Sequence, residues 1–299
     1  MPETSVGEAI ANVHAQFSDA NLVYGHGTDN AWDEAVALVL SVGGYADDES
    51  SLDIVLPEAI QRRVVEIAEL RLSSRQPLPY LLGRAQYAGL EFIVRPGVIV
   101  PRSPIGFLLP DAVKPWLPVD VTSVIDLCAG SGCLGLLAAH IFPNATVTLV
   151  ELDDVACEIA QENIALHNLS DRVALVQSDV LKLDGTSAPS LDRADLVLCN
   201  PPYVNAQDMA TLPPEYQSEP IQSLAAGENG LSLMLPLIAK ISGFLKPRGI
   251  FIGEVGASAP ALIASQSELP LIWLDLPQGG EGVFLLEADA LNSHTARQE

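Results

Sequence analysis

From Val121 onward, runs of unbroken apolar residues alternate with stretches of helical periodicity, and this pattern constrains the fold more than any other feature. Residues 123–127, 145–150, 173–177, 195–199 and 249–255 read as strands. They show no in–out alternation, so both faces must be buried. Residues 134–142, 155–167, 231–245 and 259–266 read as helices. Strand–helix alternation of this kind gives an α/β domain, a mostly parallel sheet with helices on both faces. Two last strands, 271–276 and 282–286, lie close together with Gly279-Gly280 between them, so the sheet is expected to end in an antiparallel hairpin.

The rest of the chain has a different character. Residues 1–75 read as a small helical domain: Val6, Ile10, Val13 and Phe17 fall at helical spacing, 32–42 repeats it behind Asp29 or Asn30 as a cap, and 57–72 opens on Pro57. In 76–105, prolines at 77, 79, 96, 101 and 104 punctuate short β-rich runs at 90–94 and 98–100, which predicts a hairpin and linker. The α/β domain then occupies 106–299. The apolar stretch 231–245 contains Pro236 and Lys240 and is too short to span a bilayer. Glu3 and Glu8 interrupt the first ten residues, so no secretory signal is read there. Cys128, Cys133, Cys157 and Cys199 form no Cys-x-x-Cys pair, and no metal site is expected. The expectation is a cytoplasmic protein, a monomer, with no membrane association.

At the end of the first α/β strand, Asp126-Leu127 runs into Cys128-Ala129-Gly130-Ser131-Gly132-Cys133, and a helix follows at once. Glycines at such a turn let a ligand approach the backbone, and ligands of open α/β sheets sit beyond the carboxyl ends of the strands. Gly130, Gly132 and Gly135 also fit the dinucleotide spacing, so a dehydrogenase reading starts at the same place. Two further acids end the next strands. Glu151 is placed to accept from ribose hydroxyls, and Asp179, followed by Val180, from an adenine amino group. Asp126 is placed to meet an ammonium group. Together they describe a ligand with an adenine, a ribose and a cationic amino-acid tail, which is S-adenosylmethionine.

The fourth strand ends in Asn200-Pro201-Pro202-Tyr203. Two prolines remove two backbone donors and fix the chain. The Asn200 side-chain oxygen and the Pro201 carbonyl can then accept both hydrogens of a planar NH2 group, with Tyr203 stacked on it. Holding both hydrogens counters the conjugation that makes such a nitrogen a poor nucleophile. The reading is methylation of an amide or exocyclic amino nitrogen, with Asn200, Pro201, Pro202 and Tyr203 as the catalytic set. An amide and a nucleobase both satisfy it. The balance of 38 acidic against 15 basic residues, a net charge of -23, repels phosphates and weighs against nucleic acid, so no DNA binding is expected.

Motif order and the Asn-Pro-Pro-Tyr run resemble the protein-(glutamine-N5) methyltransferases over nearly the whole chain. The resemblance implies a class I, Rossmann-like domain of seven strands behind a small N-terminal helical domain and a β-hairpin linker. It implies that Asn200 and Pro201 grip a glutamine amide with Tyr203 packed on it. It also implies that the turn Cys128, Ala129, Gly130, Ser131, Gly132, with Glu151 and Asp179, holds S-adenosylmethionine; Asp126, Val180 and Asn200 are counted with this cofactor set. Cys128 stands where many relatives have a glycine, and Val180 where they often have an aromatic. Three further segments resemble the branch that methylates the third protein of the large ribosomal subunit: 24–30 (Tyr-Gly-His-Gly-Thr-Asp-Asn), 100–106 (Val-Pro-Arg-Ser-Pro-Ile-Gly) and 214–220 (Pro-Glu-Tyr-Gln-Ser-Glu-Pro). The alternatives are the release-factor branch, an adenine N6-methyltransferase, and a cofactor-binding ribosome-assembly factor without turnover. The helical domain is expected to dock the protein substrate.

Overall fold

The apolar runs of the second half pair side by side into one sheet, and the other elements are arranged around it. The computed structural model describes residues 3–183, 191–276 and 279–291. It opens with helices α1 (Val6–Asp19), α2 (Ala31–Gly43), α3 (Glu58–Ser74) and the short α4 (Leu78–Leu82). Ser5 and Glu8 close a capping box at the start of α1, and the Asn30 side chain caps α2, so orphan N–H groups at both ends are satisfied locally. Val13, Phe17, Leu38 and Ile67 fill a core between the helices, and Leu78 of α4 joins it beyond the expected boundary at residue 75.

The linker holds an antiparallel hairpin, β1 (Arg84–Tyr87) with β2 (Leu90–Ile93), then α5 (Ile105–Leu108). Here the expectation needs correcting. The strand before the turn is 84–87, and residues 98–100 are not a strand. The two turn residues, Ala88 and Gly89, both have positive φ, the conformation of a tight two-residue hairpin turn.

The sheet follows: β3 (Ser123–Leu127), α6 (Cys133–Ile141), β4 (Thr146–Glu151), α7 (Asp154–Leu166), β5 (Val173–Gln177), β6 (Ala194–Cys199), α8 (Ala206–Met209), α9 (Met234–Ile238), β7 (Leu245–Glu254), α10 (Ala259–Ser265), β8 (Ile272–Trp273) and β9 (Val283–Glu287). Its seven strands run in the order β5-β4-β3-β6-β7-β9-β8. The five strands β3 to β7 are parallel, and β9 is antiparallel to both its neighbours. The expected terminal hairpin is therefore present, with β9 inserted between β7 and β8. Leu134 and Leu137 of α6, with Tyr87 and Phe92 of the hairpin, cover one face; Met234 and Leu237 of α9 and Leu262 of α10 cover the other. The long helix expected over 231–245 is not formed. Pro236 fits only the first turn of a helix, so α9 starts at Met234 and is short, and Leu245 belongs to β7. The last residues of the expected domain, 292–299, lie outside the described residues. No helix among the described residues is long and apolar enough to cross a membrane.

Buried charge joins the helices to the sheet domain. Arg71 of α3 is 0% exposed. Its Nε donates to Glu34 Oε1 at 2.6 Å, and its Nη1 lies 3.7 Å from Glu215 Oε1, 144 residues away in sequence. Arg75 reaches the same Glu215 oxygen at 2.6 Å. Removing one partner of a buried ion pair strands the others, so Arg71→Ala is expected to destabilise the protein by about 3–5 kcal/mol in chemical denaturation. A change below about 1 kcal/mol would show that water solvates these carboxylates.

Candidate active site

The strand order reverses between β3 and β6, and ligands of open sheets bind at such a point. Leu127 pairs with Cys199, so the turn after β3 and the tetrapeptide after β6 leave the sheet level with each other. A cavity of about 330 Å³ opens there. Cys128, Gly130 and Glu151 line it, together with Asn200, Pro201, Pro202 and Tyr203. The structure thus brings together the catalytic set and part of the cofactor set. Ala129 and Ser131 line a smaller adjoining hollow.

The turn after β3 is left-handed at three places, Cys128 (φ 60°), Gly130 (φ 57°) and Gly132 (φ 81°). A side chain at Gly132 would also lie 2.9 Å from Leu149, so glycine is needed there for close helix–strand packing. Cys128 holds the same kind of backbone without being glycine. Glu151 Oε2 accepts from the Gly130 N–H at 2.7 Å. Its Oε1 accepts from Leu152 N–H at 2.7 Å and Asp153 N–H at 3.0 Å. A carboxylate has about four acceptor sites, so Oε2 keeps room for one more donor.

Asp126 lies beneath the turn and is 1% exposed. Its Oδ2 accepts from Gly135 N–H at 2.8 Å, while Oδ1 is buried with no partner among the described residues. Burial pushes its carboxyl up to about 7, against the lowering effect of the Gly135 hydrogen bond and with some help from Glu151. Asp179 caps a short 3-10 turn through Leu181 N–H at 2.9 Å and pairs with Lys182 at 3.5 Å. Val180 is buried in the apolar layer beside Ile125 and Leu127. Asp126, Gly132, Asp179 and Val180 do not line the cavity. Among the described residues no group of His, Cys, Asp and Glu side chains could hold a metal ion.

At the tetrapeptide, Asn200 Oδ1 is buried and has no hydrogen-bond partner among the described residues. An unsatisfied amide oxygen away from water costs roughly 1–3 kcal/mol, so it marks a place where a donor is expected. Tyr203 Oη donates to Glu254 Oε1 at 2.8 Å, and Ser103 Oγ donates to Glu254 Oε2 at 2.5 Å. Burial raises the Glu254 carboxyl, which the two donated bonds partly offset. Burial also holds the Tyr203 hydroxyl well above its ordinary range, with the Glu254 carboxylate adding to it. The phenol therefore stays protonated and serves to fix its ring. Sequence reasoning missed Glu254. It ends an apolar buried strand as Asp126 and Glu151 do, and that position was the available signal.

The segment after the tetrapeptide folds back onto it. Val204 N–H donates to Leu224 O, and Ala226 N–H to Val204 O, both at 2.8 Å. Gln222 Nε2 reaches Asp153 Oδ2 at 2.5 Å. Leu212, Tyr216, Gln222 and Leu224 thereby form the wall of the cavity facing the sheet ends.

Curated relatives match nearly the whole chain in sequence. A protein of Francisella tularensis named ribosomal protein uL3 glutamine methyltransferase is 40% identical over 96% of this chain and 88% of its own length. Proteins of the same name from Bordetella pertussis and Neisseria gonorrhoeae are each 37% identical, covering 93% and 96% of this chain and 93% and 96% of their own lengths. The chain belongs to the uL3 glutamine methyltransferase family. A model of the methyltransferase small domain also matches residues 112–213. Among solved structures, the catalytic domain of hMettl16 in complex with a MAT2A 3'UTR hairpin is 19% identical, covers 79% of this chain and 84% of its own, and has a TM-score of 0.51. At that identity the likeness shows the shared class I methyltransferase fold.

Membership bears out the branch expected from three separate segments, and in the structure those segments meet. Glu219 of 214–220 accepts from Arg102 Nη1 and Nη2 at 2.6 and 2.7 Å and from Val100 N–H at 2.9 Å. It also faces His26 Nε2 of 24–30 at 3.6 Å. Burial would raise this carboxyl, but His26 and Arg102 more than offset it and hold it down at about 2.

Asp126 behaves in the opposite sense. The folded protein holds its proton up to about pH 7, whereas the unfolded chain loses it near about pH 4. The stability this confers is present below about pH 4 and disappears as pH rises to about 7. Asp126→Asn is therefore expected to gain in melting temperature relative to the wild type between about pH 4 and pH 7. Parallel profiles in scanning calorimetry would show that the carboxyl titrates normally.

Proposed function

We propose that this chain transfers a methyl group from S-adenosylmethionine to the side-chain amide nitrogen, N5, of a glutamine in ribosomal protein uL3. The observation that carries this reading is the buried, unpartnered Asn200 Oδ1 at the end of β6, beside the glycine turn. The cofactor fits what lies next to it. The left-handed turn from Cys128 to Gly132 gives close backbone access, and Glu151 Oε2 has one acceptor site left for a ribose hydroxyl. Asp126, buried outside the cavity lining with Oδ1 unpartnered among the described residues, is assigned to the ammonium group directly or through water. Asp179 and Val180 are assigned to the adenine end. When bound, S-adenosylmethionine supplies a methyl already activated on a sulfonium.

The protein's own part is alignment. An amide nitrogen shares its lone pair with the carbonyl. Asn200 Oδ1 and the Pro201 carbonyl accept its two hydrogens, favour pyramidalisation and aim the freed lone pair. Pro202 keeps the strand end rigid and offers no competing N–H. Tyr203, held by Glu254, packs on the planar amide. Alignment of this kind is worth roughly 7–11 kcal/mol of barrier. No general base is required, because the proton leaves after methyl transfer, to water or a backbone carbonyl.

The net charge of -23 favours a basic ribosomal protein over a polyphosphate substrate. The reading places the enzyme in the cytoplasm, acting on uL3. Asn200→Ala tests it: affinity for S-adenosylmethionine by calorimetry is expected to stay close to wild type, while labelled-methyl transfer to uL3 falls by about 100-fold or more. Transfer that survives the substitution would contradict the assigned role of Asn200.

A further inference from the structure

We propose that Tyr216 is a wall of the glutamine site and that the N-terminal helical unit sets its position through His26, so that this unit completes the active site as well as docking the substrate. The proposal rests on the glutamine methyltransferase reading and names a positioning residue for it.

Tyr216 lines the cavity together with Asn200 and Tyr203. Its own short 3-10 turn, Tyr216–Ser218, has no side-chain cap hydrogen bond. Its neighbours come from elsewhere. The His26 ring lies 4.4 Å from it, centroid to centroid, tilted by 47°. The Arg102 guanidinium sits 5.4 Å above its centroid, within range of a cation–π contact. The backbone at Gly25 runs so close that a Cβ there would come within 2.4 Å of Tyr216 Oη, at a φ of +123° that side-chain-bearing residues rarely adopt. The residues on either side are fixed as well. Glu215 is 0% exposed and accepts from Val23 N–H at 3.1 Å, besides facing Arg71 and Arg75. Glu219 is held by Arg102 and Val100 and faces His26. The helical unit thus grips the wall segment at Glu215, Tyr216 and Glu219. A surface used only to dock a substrate protein has no need to bury two carboxylates of the catalytic domain.

Deleting the helical unit would strip Arg71 and Arg75 from buried Glu215, so substitutions in the full chain give the cleaner test. His26→Ala, Tyr216→Leu and the double variant are compared with wild type for melting temperature, affinity for S-adenosylmethionine, and kcat and KM with uL3. Because His26 acts through Tyr216, His26→Ala is expected to lower kcat/KM about tenfold with cofactor affinity unchanged, and to cause no further loss in the Tyr216→Leu background. His26→Phe keeps the ring, and a cavity of about 70 Å³ beside His26 leaves space for it. It is expected to restore most of the activity that His26→Ala loses. Losses that multiply in the double variant, a His26→Phe variant as impaired as His26→Ala, or an equal fall in cofactor affinity would each overturn the proposal. Wild-type enzyme inert on uL3 would instead count against the function. The same four variants are then read in their affinity for uL3, where the same non-additive pattern is expected and multiplied losses overturn the proposal.

Discussion

A carboxylate taken out of water must be met by opposite charge or by donors, and two such groups, Glu215 and Glu219, hold the wall of this active site. Their partners are spread along the chain: Arg71 and Arg75 on α3, Arg102 in the linker, and His26 ahead of α2. Each partner is useful only if its element is folded and in place. The helical unit, the linker and the wall segment therefore depend on one another for a reason stronger than surface contact. Glu254 extends the same logic to the tetrapeptide, because its buried carboxyl joins Ser103 of the linker to Tyr203.

The sheet supplies the other half of the geometry. Parallel pairing of β3 with β6 puts the glycine turn and Asn200 side by side without help from any loop. The glycine turn and the tetrapeptide then line one cavity. The rest of the lining comes from the segment after the tetrapeptide, returned by the bonds between Val204, Leu224 and Ala226. Methyl transfer from a sulfonium needs alignment more than acid–base chemistry. A tetrapeptide that presents Asn200 and a tyrosine shielded from ionisation suits that demand.

Features with a local cause could be read from the sequence. The buried strands, the glycine turn, a cap at Asp29 or Asn30 and the Asn-Pro-Pro-Tyr loop each follow from a few neighbouring residues. Features with a distant cause could not. Arg71 sits among apolar residues of α3 and looks like one polar position in an amphipathic pattern; nothing nearby says that its partners are Glu34 and Glu215. Residues 231–245 are apolar enough for a long helix, yet the sheet takes Leu245 as the start of β7 and Pro236 limits the helix to a short one. Strand β1 has only four residues, with Arg84 and Gln86 outward and Ala85 and Tyr87 inward, too short an alternation to stand out without its partner β2. The segments that carried the family branch, 24–30, 100–106 and 214–220, were recognisable as patterns, but their meeting around Glu219 is a property of the fold alone.

The central claim concerns which nitrogen receives the methyl group. The most direct measurement is mass spectrometry of the peptides and nucleosides from a mixture of unmodified uL3, release factor and ribosomal RNA after incubation with the enzyme and isotopically labelled S-adenosylmethionine. The account predicts label on the side-chain amide of a glutamine in uL3 and none on the RNA. Label on an adenine amino group would contradict it, and label confined to the release factor would move the enzyme to the sister branch.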